Sequence, residues 1–126
     1  MTKSSAVKKE LPLLYSCSGC SNVAQTANQT AIELFHEGVV EMSCIAGVAA
    51  GLKSLVKKAR SRNCVISLDG CELQCTQACL AMRDIVPTRS YVMTRFHLVK
   101  KHYGRFNPEV VKGIKAIVKR DCMEGL

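Results

Sequence analysis

The chain has 126 residues, 48% of them hydrophobic and 22% charged, with a net charge of +8, eight Cys and no Trp. That length suits one domain with a real core, and the composition is that of a globular protein rather than a fibrous or disordered one. No apolar run approaches the roughly 20 residues of a membrane span, so an integral helical membrane protein is excluded.

Residues 1–10 are polar and basic and are expected to be a disordered tail, with a single domain over residues 11–126. The first apolar stretch, Leu11 to Tyr15, is too short for a signal-peptide core, so the expected location is cytoplasmic. Leu11 to Cys17 reads as the first strand, with Pro12 tolerated at its start or edge. Asn22 is placed to cap a helix running to about Glu37, with Val23, Ala27, Ala31, Leu34 and Phe35 on one stripe. Gly38 fits its left-handed C-terminal stop. Val39 to Ile45 reads as the second strand. Ala46 to Arg62 reads as one helix with Val48, Leu52, Leu55, Val56 and Ala59 inward. Its first turns are small residues, which points to close packing there, and Asn63 is a stop.

Cys64 to Leu68 is the third strand, broken by Asp69-Gly70. A third helix is expected from Cys71 to about Arg83. Ser90 to Thr94 is a fourth strand, and Arg95 to His102 one or two helical turns. Asn107-Pro108-Glu109 is a helix start, with a cap, a proline at the first position and an acid in the first turn. That helix reaches about Arg120, with Val111, Ile114, Ile117 and Val118 apolar. Alternation of strand and helix, with little polar alternation inside the first and third strands, is the pattern of a parallel sheet covered on both faces. The expected fold is therefore a three-layer, Rossmann-like α/β/α sandwich with a mostly parallel sheet of about four strands in the order 2-1-3-4.

The charge is concentrated late in the chain. Residues 83–120 hold ten Lys and Arg against Asp84 and Glu109. An anionic partner such as nucleic acid is one reading of that region; a solvated basic helix with basic loops is the other. With no Trp, three Tyr and three Phe, a base-stacking platform is not expected.

Eight cysteines without a secretory signal favour metal binding or thiol chemistry over a disulfide framework. In an open α/β sheet, ligands bind beyond the carboxyl ends of the strands. Cys17 ends the first strand, Cys44 the second, and Cys71 follows the third. If the third helix starts near Cys71, Cys75 shares its face at i+4. Four thiolates then offer a closed tetrahedral set suited to zinc, with Asp69 orienting a ligand or the backbone from behind. Cys17-Ser-Gly-Cys20 is also a CxxC, so Cys20 replaces Cys44 as a ligand or adds an accessory thiol. Losing Cys44 should accordingly cost more than losing Cys79 or Cys122. A dithiol redox site at Cys17 and Cys20 and an iron–sulfur cluster are the alternative uses of these thiols. Cys64 lies at the far end of its strand, Cys79 belongs to the core, and Cys122 is near the carboxyl terminus. His36, His97 and His102 form no zinc-type pairing with a cysteine pair and are expected at the surface.

The motifs Cys17-Ser-Gly-Cys-Ser21, Met42-Ser-Cys44-Ile-Ala-Gly47 and Leu68-Asp69-Gly70-Cys71 followed by Cys75 resemble, in order and spacing, those of the DGC-domain family, across nearly all of residues 11–120. The family is named for its central Asp-Gly-Cys and is described as zinc-binding. By motif match, the resemblance implies Cys17, Cys44, Cys71 and Cys75 as ligands, with a metal ion as partner and Cys20 as an accessory.

Overall fold

A computed structural model describes residues 10–124. Apart from Glu10, the tail expected over residues 1–10 lies outside the described residues, as do residues 125 and 126. Four strands, β1 (Leu13–Ser16), β2 (Glu41–Met42), β3 (Val65–Asp69) and β4 (Arg89–Val92), form one sheet in the order β2-β1-β3-β4. Every pairing is parallel, with Leu13 opposite Glu41 and Val65, and Ile66 opposite Arg89. The expected strand order is the observed one. β1 and β3 are the central pair and are buried throughout, which is why neither alternates in polarity.

Two layers of helix cover the sheet. On one face α1 (Asn22–His36) and α5 (Pro108–Met123) pack against Leu14, Ile66 and Leu68. On the other, Leu13, Tyr15 and Val65 meet Val48, Ala59, Leu80 and Ile85 from α2 (Ile45–Ala49), α3 (Lys53–Arg60), α4 (Cys75–Ala81) and the segment after it. In α1 the stripe Val23, Ala27, Ala31 and Leu34 is fully buried, but Phe35 is 45% exposed. It flanks the stripe at the helix end.

The helix expected over Ala46 to Arg62 is two helices. Gly51 takes a left-handed φ of +78°, and the chain re-enters helix at Lys53. Arg83 fills the break by donating from Nε to the Val48 carbonyl at 2.9 Å and from Nη2 to Ala49. The Val48 carbonyl keeps the Gly51 N–H at 3.0 Å, and carbonyls at the C-terminus of α2 are the ones a helix end leaves short of partners. Leu52, expected inward, sits at the break and is 54% exposed. The close packing expected at the small residues is present: a Cβ on Gly47 would collide with the Leu55 side chain. The segment after β4 is a 3-10 helix, Met93–Phe96, followed by an irregular strap over residues 98–106.

Three of the ten basic residues of 83–120 are paired with acids of other elements. Lys115 bonds Glu33 and Glu37, Lys119 bonds Glu37, and Arg95 bonds Glu72. Among the described residues no helix is long and apolar enough to cross a membrane.

Candidate thiol site

The carboxyl ends of β1 and β3 release two loops side by side. Cys17 follows β1, and its N–H donates to the Leu68 carbonyl at 3.0 Å, extending the ladder by one residue. On the other side, β3 ends at Asp69 and turns through Gly70 into Cys71. The Gly70 N–H donates to Cys17 Sγ at 3.2 Å, so the two loops are joined through a thiol.

Each residue of Asp69-Gly70-Cys71 has its own task. Asp69 is 2% exposed and accepts from the N–H groups of Thr76 at 2.7 Å and Gln77 at 3.3 Å. It therefore caps α4 from seven residues away, satisfying donors that the first turn leaves orphaned. Gly70 is buried against the start of α1; a Cβ there would stand 2.7 Å from the Ala24 nitrogen. Cys71 accepts from the Lys100 ammonium at 3.4 Å.

The helix expected from Cys71 begins instead at Cys75. Gln74 has a left-handed φ of +50°, and residues 71–74 form a turn closed by the bond from the Gln74 N–H to the Cys71 carbonyl. Cys71 and Cys75 are therefore not one helix face at i and i+4. They flank a turn, and Asp69, not a residue of the turn, supplies the cap.

A cavity of about 180 Å³ opens between the loops, lined by Cys17, Cys20, Cys71 and Cys75, with Lys100 and His102 on the strap side. Burial pushes the Cys17 thiol up to about 11, with Asp69 and the neighbouring thiols adding to the rise and the Gly70 N–H opposing it. Cys20 and Cys75 are exposed, and Cys71 is half-buried. Cys44 does not line the cavity. It is exposed, stands at the N-terminus of α2 and accepts from the Gly47 N–H at 3.4 Å. Among the described residues, no three His, Cys, Asp or Glu side chains are gathered as a ready-made metal cluster.

Cys79 is one turn beyond Cys75 on α4, half-buried and away from the cavity. Cys64 and Cys122 are half-buried and pack against the α1–α5 side of the core. Burial raises the thiols of all three.

Asn22 and Lys100 are the site residues that sequence reasoning missed. Asn22 is not the cap of α1; Ser21 is, accepting from the Ala24 N–H at 3.0 Å. The Asn22 side chain instead grips the strap, donating to the Val99 carbonyl at 3.0 Å and accepting from the Lys101 N–H at 2.7 Å. Its own N–H donates to the Lys101 carbonyl at 3.1 Å. The Ser21-Asn22 pair offers two good capping residues in sequence, and nothing local chooses between them. The Lys100–Cys71 contact spans 29 residues of chain and carries no local signal.

A family model described as the DGC domain matches residues 13–118. The chain is also similar to the anaerobic and virulence modulator AnvM of Pseudomonas aeruginosa (strain PAO1), with 50% identity over 94 residues, covering 75% of this chain and 71% of that protein. No solved structure matches the chain.

Proposed function

The chain belongs to the DGC-domain family, and from that premise we propose that it binds a thiophilic metal ion, zinc first, through Cys17, Cys20, Cys71 and Cys75. The observation that carries this reading is four thiols from two separate loops lining one cavity at the carboxyl edge of a parallel sheet, where such folds bind ligands. An all-thiol donor set suits Zn²⁺ in closed tetrahedral coordination. Cys17 is anchored by the Gly70 N–H, while Cys20 and Cys75 are exposed on the cavity wall. The role is structural, or concerned with holding and passing on metal or another thiophile, in a reducing compartment such as the cytoplasm, where thiols stay free. A closed four-thiolate shell leaves no open position for a metal-bound water.

The set with Cys44 in place of Cys20 is the rival, and Cys44 would have to be drawn from the start of α2. A dithiol redox role would have to start from the exposed Cys20, since burial pushes the Cys17 thiol up to about 11. The test is elemental analysis of protein purified without oxygen, with single Ser replacements at Cys17, Cys20, Cys44, Cys71 and Cys75. One zinc per chain, lost with Cys17, Cys20, Cys71 or Cys75 and kept with Cys44→Ser, is the expected result. Iron with sulfide and a visible absorbance would assign the same thiols to a cluster instead. Metal-free protein that takes up no zinc under reducing conditions would overturn the reading.

A further inference from the structure

The strap over residues 98–106 has no helix or strand of its own, yet Asn22 holds it at three points: its side chain bonds the Val99 carbonyl and the Lys101 N–H, and its backbone N–H bonds the Lys101 carbonyl. Leu98 packs against the core from the start of the strap. Between the two clamped residues, Lys100 reaches the cavity and donates to Cys71 Sγ at 3.4 Å, and His102 lines the same cavity. Glu72, the acid on the turn next to Cys71, is already engaged in a two-point bond with Arg95. The ammonium is therefore left to the thiol.

From this arrangement we infer that Lys100 is the positioning residue of the thiol site, a charge partner held by Asn22 that neutralises Cys71 as metal binds. The inference rests on the metal-binding reading above. Four thiolates around a divalent ion leave a net negative charge on the sulfurs, and a charged donor at one of them is a strong, charge-assisted partner. Outer partners of this kind set ligand orientation and metal affinity, typically by about 10–100-fold. The arrangement also couples two distant parts of the chain. A metal ion that fixes Cys71 in place fixes the Lys100 contact with it, and through Asn22 the clamped strap over 99–101.

The test measures zinc affinity by competition with a chromophoric chelator, together with hydrogen exchange at the Lys101 amide, in wild type, Lys100→Met, Lys100→Arg and Asn22→Ala. Zinc affinity should fall about tenfold or more in Lys100→Met and be largely restored in Lys100→Arg. Asn22→Ala should weaken binding as well, and by little more when combined with Lys100→Met, because both remove the same contact. Zinc should slow exchange at Lys101 in wild type and not in Lys100→Met. Exchange at Lys101 is compared with that of core amides in the same variant, which separates loosening of the strap from a loss of overall stability. Equal zinc affinity and equal zinc-induced protection in wild type and Lys100→Met would overturn the inference while leaving the metal site standing. Failure of the wild-type protein to bind zinc would overturn both.

Discussion

A Cβ built on Gly70 would stand 2.7 Å from the Ala24 nitrogen and 2.8 Å from the Val23 carbonyl carbon. Both are backbone atoms at the start of α1, so nothing flexible can move aside. Gly70→Ala should destabilise the protein by about 1–3 kcal/mol, the usual cost of overpacking, read as a lower denaturant midpoint. Because Gly70 also donates to Cys17 Sγ, the same variant should take up zinc more weakly. An unchanged midpoint would mean that α1 can shift away without cost. Cys17 makes a second prediction at this scale. Its thiol is raised from 9.0 to about 11, chiefly by burial, so the folded chain holds the proton more tightly than the unfolded one. Stability from this group is complete below about pH 9 and is lost as pH rises toward 11, since the unfolded chain ionises first. The loss amounts to about 2 kcal/mol in metal-free protein. Cys17→Ser should lack that part of the alkaline decline when unfolding is compared at pH 8 and pH 10.5, whereas an identical decline would place the effect on other groups.

The short elements at the site are held by remote contacts rather than by their own propensity. α4 has seven residues and no local side-chain cap, too few to be stable alone. Its first amides are satisfied by Asp69 at the end of β3. Asp69→Ala should therefore cost about 1–3 kcal/mol, the penalty for orphaned buried donors. It should speed hydrogen exchange at Thr76 and Gln77. Asp69→Asn keeps one acceptor and should fall between. If Asp69→Ala leaves those two amides protected, the cap is supplied elsewhere. This is also where sequence reading reached its limit. The long helix α1 was legible from its stripe, and α5 from Asn107-Pro108-Glu109, because those signals are local. The break at Gly51 and the late start of α4 were not. Gly51 closes a stretch made mostly of small residues, Ala46, Gly47, Ala49 and Ala50, and the guanidinium that stabilises the break comes from Arg83. The turn at 71–74 needs a left-handed Gln74, a conformation with no strong residue signature outside Gly and Asn.

Across the whole molecule, the strand order β2-β1-β3-β4 was legible because two apolar central strands and right-handed crossovers leave few arrangements. That order places Cys17 beside Cys71 by simple neighbourhood. It places Cys44 less well, because β2 is only two residues long and hands over to α2 before reaching the cavity. Cys20, four residues after β1, is carried back to the cavity by the turn into α1. The two candidate sets differ in what they would tie together: Cys20 would keep a metal between β1, β3 and their loops, whereas Cys44 would pull in the start of α2. Binding to the folded chain raises stability by mass action, by about 2.7 kcal/mol when free zinc is a hundredfold above its dissociation constant. For a domain of this size that is a rise in Tm of about 10 °C. Ligand thiols must lose their protons to bind, so the rise should shrink as pH falls from 8 to 6. Calorimetric scans with zinc and with a chelator should show the full rise in Cys44→Ser and most of it missing in Cys20→Ser. The opposite pattern would hand the fourth position to Cys44 and make α2 part of the site. No rise in wild type at either pH would remove metal from the account of this cavity.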